Sequence, residues 1–200
     1  YVLFFGRLSK EKGILTLVKA FLQAAGLERR ADSDAAAGHE GFLPDIWDLR
    51  IVGDGPEREA IEQLIASAGP QATSRIHLLG YKTGEDLQRE VGNARFTVLS
   101  SEWRENMPYS GLESLAAQTP IIGARIGGIP ELVEEGRTGF TFESGNAADL
   151  REVVMKAVDV RQGEYQHMQH ACLEYVRQRC LQMDYVKQLD TQYAGLIKDG

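Results

Sequence analysis

Apolar residues along the chain follow two rhythms. Short runs rich in Val, Ile, Leu and Phe recur at 2–5, 49–52, 76–79, 96–99, 120–123 and 139–142. Most show no alternation with polar residues, the pattern of strands buried on both faces of a parallel sheet. Helical periodicity fills the intervals at 13–25, 56–68, 85–93, 108–118 and 129–134. After residue 142 the pattern is only helical, at 147–160, 165–179 and 185–197. Pro56 and Pro108 stand where a first helical turn tolerates a missing N–H. Repeated strand–helix–strand units predict an α/β, doubly wound parallel sheet of Rossmann-like type, with right-handed crossovers and helices on both faces. The terminal helices are expected to pack over the sheet or to reach back to a partner domain. One connection breaks the rhythm: residues 26–48 are polar and rich in Ala, Gly and Asp, and are read as a mobile surface insertion.

The 200 residues fit one domain, and 43% apolar residues suffice for a core. A net charge of −7 argues against a nucleic-acid surface, which needs a broad basic patch. No window reaches about 20 consecutive apolar residues, so no membrane span is expected. Cys172 and Cys180 share one late helical stretch and read as reduced thiols of a cytoplasmic protein. The chain opens at Tyr1-Val2-Leu3-Phe4-Phe5-Gly6, already inside a strand and without an initiator Met. It therefore reads as a piece of a longer protein, with part of any active site expected elsewhere.

In a doubly wound sheet of order 3-2-1-4-5-6, ligands bind at the carboxyl ends of strands 1 and 4. Three unusual loops fall at such ends. The first, Gly6-Arg7-Leu8-Ser9-Lys10-Glu11-Lys12-Gly13, concentrates positive charge in an acidic chain. A guanidinium fork at Arg7 and an ammonium at Lys12 suit a diphosphate; a solvated helix start is the competing reading. In the second, Ser100 to Glu113, Asn106 is placed to cap a helix starting at Met107-Pro108, whose free N–H groups favour an anion. Glu113, about two turns into that helix, could accept from both hydroxyls of a ribose. Glu105 could do the same for a sugar hydroxyl near the reacting carbon. Both would alternatively be exposed carboxylates near a positive helix end. The third, Gly127-Gly128-Ile129-Pro130-Glu131, allows close backbone approach to a ligand, or is a tight turn.

Together these loops resemble the C-terminal, donor-binding half of retaining family 4 (group 1) glycosyltransferases of GT-B architecture. The resemblance runs in order through Phe5-Gly6-Arg7-Leu8, Lys12-Gly13, Val52-Gly53-Asp54-Gly55-Pro56, Leu79-Gly80-Tyr81, the Glu105/Glu113 pair, Pro120-Ile121-Ile122-Gly123, Gly127-Gly128-Ile129-Pro130-Glu131 and Gly136 to Gly139-Phe140. It covers about residues 1–145. Asn106–Pro108 departs from the Gly-Phe-Gly that many members carry. By this resemblance Arg7 and Lys12 hold the donor diphosphate, Glu113 the ribose, and Glu105 faces the transferred sugar. The residues around Met107, Pro108, Tyr109 and Ser110 touch the distal phosphate or the sugar, and Gly80, Tyr81 and Lys82 border the base. Glu105, Arg7 and Lys12 are then the catalytic set. The implied activity is hexosyl transfer from a nucleoside-diphosphate sugar, with retention and with neither metal nor other cofactor. The chain would form one nucleotide-sugar-binding domain, with its sheet region at 1–145 and added helices at 146–200. An absent N-terminal domain would bring the acceptor, whether glycan, lipid or small molecule, so the isolated piece is expected to be inactive. Membrane association of the full-length protein is compatible with this reading. A non-catalytic nucleotide-sugar-binding module and a sugar-nucleotide epimerase of the same architecture are the alternatives.

Other signals carry less. Gly53-Asp54-Gly55 begins like a dinucleotide fingerprint, but Arg58 at the third glycine position is too bulky, so it reads as a structural turn. Asp32-Ser33-Asp34 mimics a metal-binding pair inside the polar insertion. His167 and His170 share a helix face near Cys172 but lack two further well-spaced ligands, and read as a solvated face.

Overall fold

A computed structural model describes residues 1–27 and 46–179. The mobile insertion expected over 26–48, the Asp32–Asp34 pair, Cys180 and the last expected helix lie wholly or largely outside them. Six parallel strands form one sheet: β1 (Val2–Phe5), β2 (Leu49–Val52), β3 (Ile76–Gly80), β4 (Phe96–Leu99), β5 (Ile121–Ala124) and β6 (Gly139–Phe142). Their spatial order is β3-β2-β1-β4-β5-β6, the order on which the placement of the loops depended. β1 pairs with β2 in register Val2 to Leu49 and with β4 in register Val2 to Phe96. The sheet thus reverses direction of growth beside β1, and the crevice lies above its carboxyl end.

The helices are α1 (Ile14–Ala24), α2 (Arg58–Ala68), α3 (Pro70–Arg75), α4 (Gly84–Asn93), α5 (Tyr109–Ala116), α6 (Ile129–Leu132), α7 (Ala147–Val158) and α8 (Gln162–Arg179). α1 packs with α2 and α7, while α5 packs with α4, α6 and α8, so the two groups clothe opposite faces. Both faces of β1 are apolar for that reason. Val2 and Phe4 join the main core, whereas Leu3 and Phe5 pack with Val91 and Ala94 in a second cluster. Among the described residues no helix is long and apolar enough to cross a membrane.

Two helix starts differ from expectation. Pro108 is the N-cap of α5, with φ −72° and ψ 119°, and helix begins at Tyr109. A residue preceding proline is pushed out of the helical region, so Met107 cannot open a helix and Asn106 does not cap one. Glu113 accordingly lies little more than one turn inside α5. Likewise α2 starts at Arg58 and not at Pro56, with Glu57 as its N-cap, and the free amide of Glu57 donates to the carbonyl of Leu8 at 2.9 Å. α3, which the apolar pattern did not reveal, starts on a first-turn proline, Pro70.

α8 is anchored on the end of the sheet opposite the loops. Phe96 is fully buried and packs on Trp47, Phe140 and Tyr165 with ring centroids 5.9, 6.1 and 5.8 Å away. The guanidinium of Arg95 lies 3.6 Å from the Tyr165 ring centroid. Burial pushes the Tyr165 hydroxyl up to about 12, against the opposing charge of Arg95, and burial likewise pushes the Cys172 thiol up to about 12.

Two expectations follow. Phe96→Ala should lower unfolding free energy by about 3–5 kcal/mol, and a urea-denaturation loss below about 1 kcal/mol would contradict the packing. The fold holds Tyr165 in its neutral form, so its contribution is complete below the ordinary phenol value and is lost as pH rises towards about 12. The urea midpoint should therefore fall across this range more steeply for the native protein than for Tyr165→Phe; equal slopes would count against it.

Candidate functional site

The loops at the carboxyl ends of the strands are stitched to one another. After β1 the chain makes a single 3₁₀ turn, Lys10–Lys12, and leaves it through Gly13 in the left-handed region at φ 61°. A Cβ at Gly13 would sit 1.9 Å from the carbonyl oxygen of Ser100, so only glycine allows this turn to lie against the end of β4. The Ser100 hydroxyl donates to the carbonyl of Lys12 at 2.8 Å, and the amide of Glu102 donates to the carbonyl of Glu11 at 2.9 Å. The loop after β2 joins through the Leu8 amide, which donates to the carbonyl of Asp54 at 2.9 Å.

The loop after β5 behaves differently from expectation. Its glycines do make a close backbone approach, but to the β4–α5 loop and not to a ligand cavity. A Cβ at Gly127 would lie 2.4 Å from the carbonyl oxygen of Glu105, and one at Gly128 would lie 1.8 Å from that of Asn106. The Gly128 amide donates to the carbonyl of Glu105 at 2.7 Å. Gly127 and Gly128 therefore fix the backbone that carries Glu105.

Two cavities open between these loops and meet at Phe5, Gly6, Arg7 and Glu113. The smaller, about 220 Å³, is walled by Arg7, Lys12, Ser101, Glu105, Ser110 and Glu113. The larger, about 630 Å³, continues past Gly53 and Asp54 to Tyr81, Lys82 and Leu87. Arg7, Lys12, Glu105, Ser110, Glu113 and Tyr81 are thus brought to one trench. Gly80, Met107, Pro108 and Tyr109 do not line it: Tyr109 is 82% exposed and Met107 49% exposed. Gly53 and Asp54 contribute to the wall of the larger cavity, while the turn expected at Gly53-Asp54-Gly55 falls just after it, at Pro56 and Glu57.

Charge is distributed unevenly along the trench. At the narrow end Lys12 Nζ lies 2.9 Å from Glu105 Oε2, and Ser101 Oγ donates to the other carboxylate oxygen, Oε1. Arg7 lines both cavities, is exposed and forms no salt bridge among the described residues. A hydrogen bond from its own backbone holds the Glu11 carboxyl below its usual range, with the charges of Arg7 and Lys12 adding to the effect. At the wide end the ammonium of Lys82 is taken by Glu90 at 2.6 Å, which also binds Arg50 at 3.0 Å and the Tyr1 hydroxyl at 3.1 Å. Burial opposes ionisation of Glu90, but the hydrogen bonds from Lys82, Arg50 and Tyr1 outweigh it and hold the carboxyl low. The trench therefore presents Arg7 beside the Lys12–Glu105 pair at its narrow end, while at its wide end the charge of Lys82 is neutralised.

Three serines escaped sequence reasoning: Ser100, Ser101 and Ser144. The Ser144 hydroxyl donates to the carbonyl of Ser101 at 2.9 Å. The signal was present as two consecutive hydroxyls directly after the apolar run at 96–99, where a buried polar pair needs partners. Among the described residues no group of His, Cys, Asp and Glu is arranged to hold a metal ion.

Comparison with known proteins accords with this geometry. Residues 1–179 match the family described as Glycosyl transferases group 1. N-acetyl-alpha-D-glucosaminyl L-malate synthase of Bacillus anthracis is 31% identical over 197 residues, which cover 96% of this chain and 50% of that protein. Alpha-D-kanosaminyltransferase of Streptomyces kanamyceticus is 26% identical over 79% of this chain and 36% of its own. The chain spans half the length of the first of these relatives and less of the second. Among solved structures, HepE of Anabaena in complex with UDP superposes with a TM-score of 0.72 at 21% identity, covering all of this chain and 48% of its own. The C-terminal domain of LpcC, a group 1 family protein of Francisella tularensis, superposes at 0.70 and 16% identity over 90% of this chain and 85% of its own. With the family matched across the whole described sheet and its flanking helices, the chain belongs to the group 1 glycosyl transferases and has the fold of their GT-B C-terminal domains.

Proposed function

We propose that this chain is the donor-binding domain of a retaining, family 4 glycosyltransferase that takes a sugar from a nucleoside diphosphate and needs no metal to do so. One observation carries the reading: Arg7 and Lys12, from the loop after β1, and Glu113, from α5, wall a single cavity at the sheet's reversal point. HepE, solved with UDP and with UDP-glucose, supports the choice of a nucleoside-diphosphate sugar as ligand.

In this reading the diphosphate lies between Arg7 and Lys12, with the first turn of α5 at Ser110 beside it. Glu113 accepts from the ribose hydroxyls, and the base extends along the larger cavity towards Tyr81. Glu105 receives a hydroxyl of the transferred sugar. Breaking the sugar–phosphate bond leaves negative charge on the departing diphosphate, and two cations plus a helix N-terminus stabilise it where it develops. That set supplies the charge a divalent cation would otherwise bring. An acceptor domain beyond this chain completes the active site, since transfer needs both reactants positioned across a cleft. The proposed setting is the cytoplasm, a reading that the buried free thiol of Cys172 supports.

Calorimetry with UDP, GDP and ADP in the presence of a chelator tests the assignment. At least one should bind, and Arg7→Ala and Lys12→Ala should each weaken it by about 1–3 kcal/mol. Absence of binding at millimolar concentration, or unchanged affinity in both variants, would contradict it. The ribose role makes a separate demand: replacing the ribose by 2′-deoxyribose should weaken binding to the native domain and leave binding to Glu113→Ala, which lacks the acceptor, almost unaltered. An equal loss in both proteins would remove Glu113 from the ribose.

A further inference from the structure

Glu105 is gripped at three points. Its carbonyl accepts from Gly128, Oε2 meets Lys12, and Oε1 accepts from Ser101. Ser101 is 3% exposed and is itself anchored, since its carbonyl accepts from Ser144 at 2.9 Å. The neighbouring Ser100 holds the backbone of Lys12 at 2.8 Å. Two adjacent hydroxyls thus brace the two partners of the ion pair separately, one through a backbone and the other through a carboxylate.

We propose that Ser101 is a positioning residue that turns the Glu105 carboxylate so that Lys12 engages only one of its oxygens. The inference rests on the donor-binding reading of the same cavity. An ionised carboxylate offers about four acceptor sites. With Oε1 pinned by Ser101 and Oε2 shared with Lys12, the remaining lone pairs stay open towards a sugar hydroxyl. Without the serine hydroxyl the carboxylate is free to rotate onto the ammonium with both oxygens, which turns its open acceptors away from the sugar side. Lys12 keeps its place in that event, because Gly13 and Ser100 hold its backbone independently. Loss of Ser101 should therefore separate two properties that a general loosening of the loop would lower together.

The test uses the 200-residue chain and calorimetry with UDP, GDP and ADP, each alongside its glucose conjugate. Ser101→Ala should bind the free nucleoside diphosphate within about twofold of the native protein, while the affinity ratio shifts about tenfold against the glucose conjugate, as expected on losing a hydrogen bond to a charged group. Ser101→Thr, which keeps the hydroxyl, should restore the native ratio. An unshifted ratio in the alanine variant, or equal weakening of both ligands, would overturn the proposal. So would a threonine variant that behaves like alanine. Failure of the native chain to bind any of the six ligands would instead overturn the donor-binding reading, and this inference with it.

Discussion

The carbonyl of Ser100 leaves room for a hydrogen and nothing larger at residue 13, and the arrangement of the site depends on that contact. It lets the turn carrying Lys12 lie flat against the end of β4. The Ser100 hydroxyl and the Glu102 amide then bind the two strand ends together. Because β1 and β4 are neighbours at the point where the sheet changes direction, this seam brings a cationic loop and an acidic loop, nearly a hundred residues apart, to one hollow. A second seam, of Gly127 and Gly128 on the backbone of Glu105 and Asn106, holds the acidic side from behind.

Charge balance follows from these seams. In a chain of net charge −7, free cations are scarce, and the fold spends Lys82 on Glu90 to secure the start of α4 while leaving Arg7 unpaired by any described carboxylate. Lys12 is intermediate: it is half-exposed and engaged by Glu105, yet it lines the same cavity as Arg7. A dianionic ligand placed between Arg7 and Lys12 would compete with a single carboxylate oxygen, a modest cost for a partly solvated pair. The same ion pair ties any change in the sugar-side carboxylate to the phosphate-side cation.

Much of this was legible in the sequence because it depends on local pattern. Unbroken apolar runs marked strands covered on both faces; the sheet order that decides which loops meet was assumed from the doubly wound class, and the structure has that order. Arg7, Lys12, Glu105 and Glu113 were readable as unusual residues at strand ends. What was hidden depends on contacts between segments. The backbone restriction ahead of Pro108 keeps Met107 out of the helix and outweighs the capping preference of Asn106, and α5 opens at Tyr109. Gly127 and Gly128 signalled close approach correctly, but only the packed loops show that the approaching group is protein backbone. Glu90 reaches from inside α4 back to Lys82 ahead of that helix, and Ser101 holds Glu105 within one irregular loop, so no regular element marks either pair.

The central claim is spatial: a pyrophosphate occupies the hollow between Arg7 and Lys12, with its ribose at Glu113. A crystal structure of the chain soaked with the nucleoside diphosphate it binds would test this most directly. The account predicts phosphate oxygens within hydrogen-bonding distance of the Arg7 guanidinium and the Lys12 ammonium, and both ribose hydroxyls on the Glu113 carboxylate. A nucleotide seated outside the trench, or one lying in it with its phosphates at the Tyr81 end, would contradict the account.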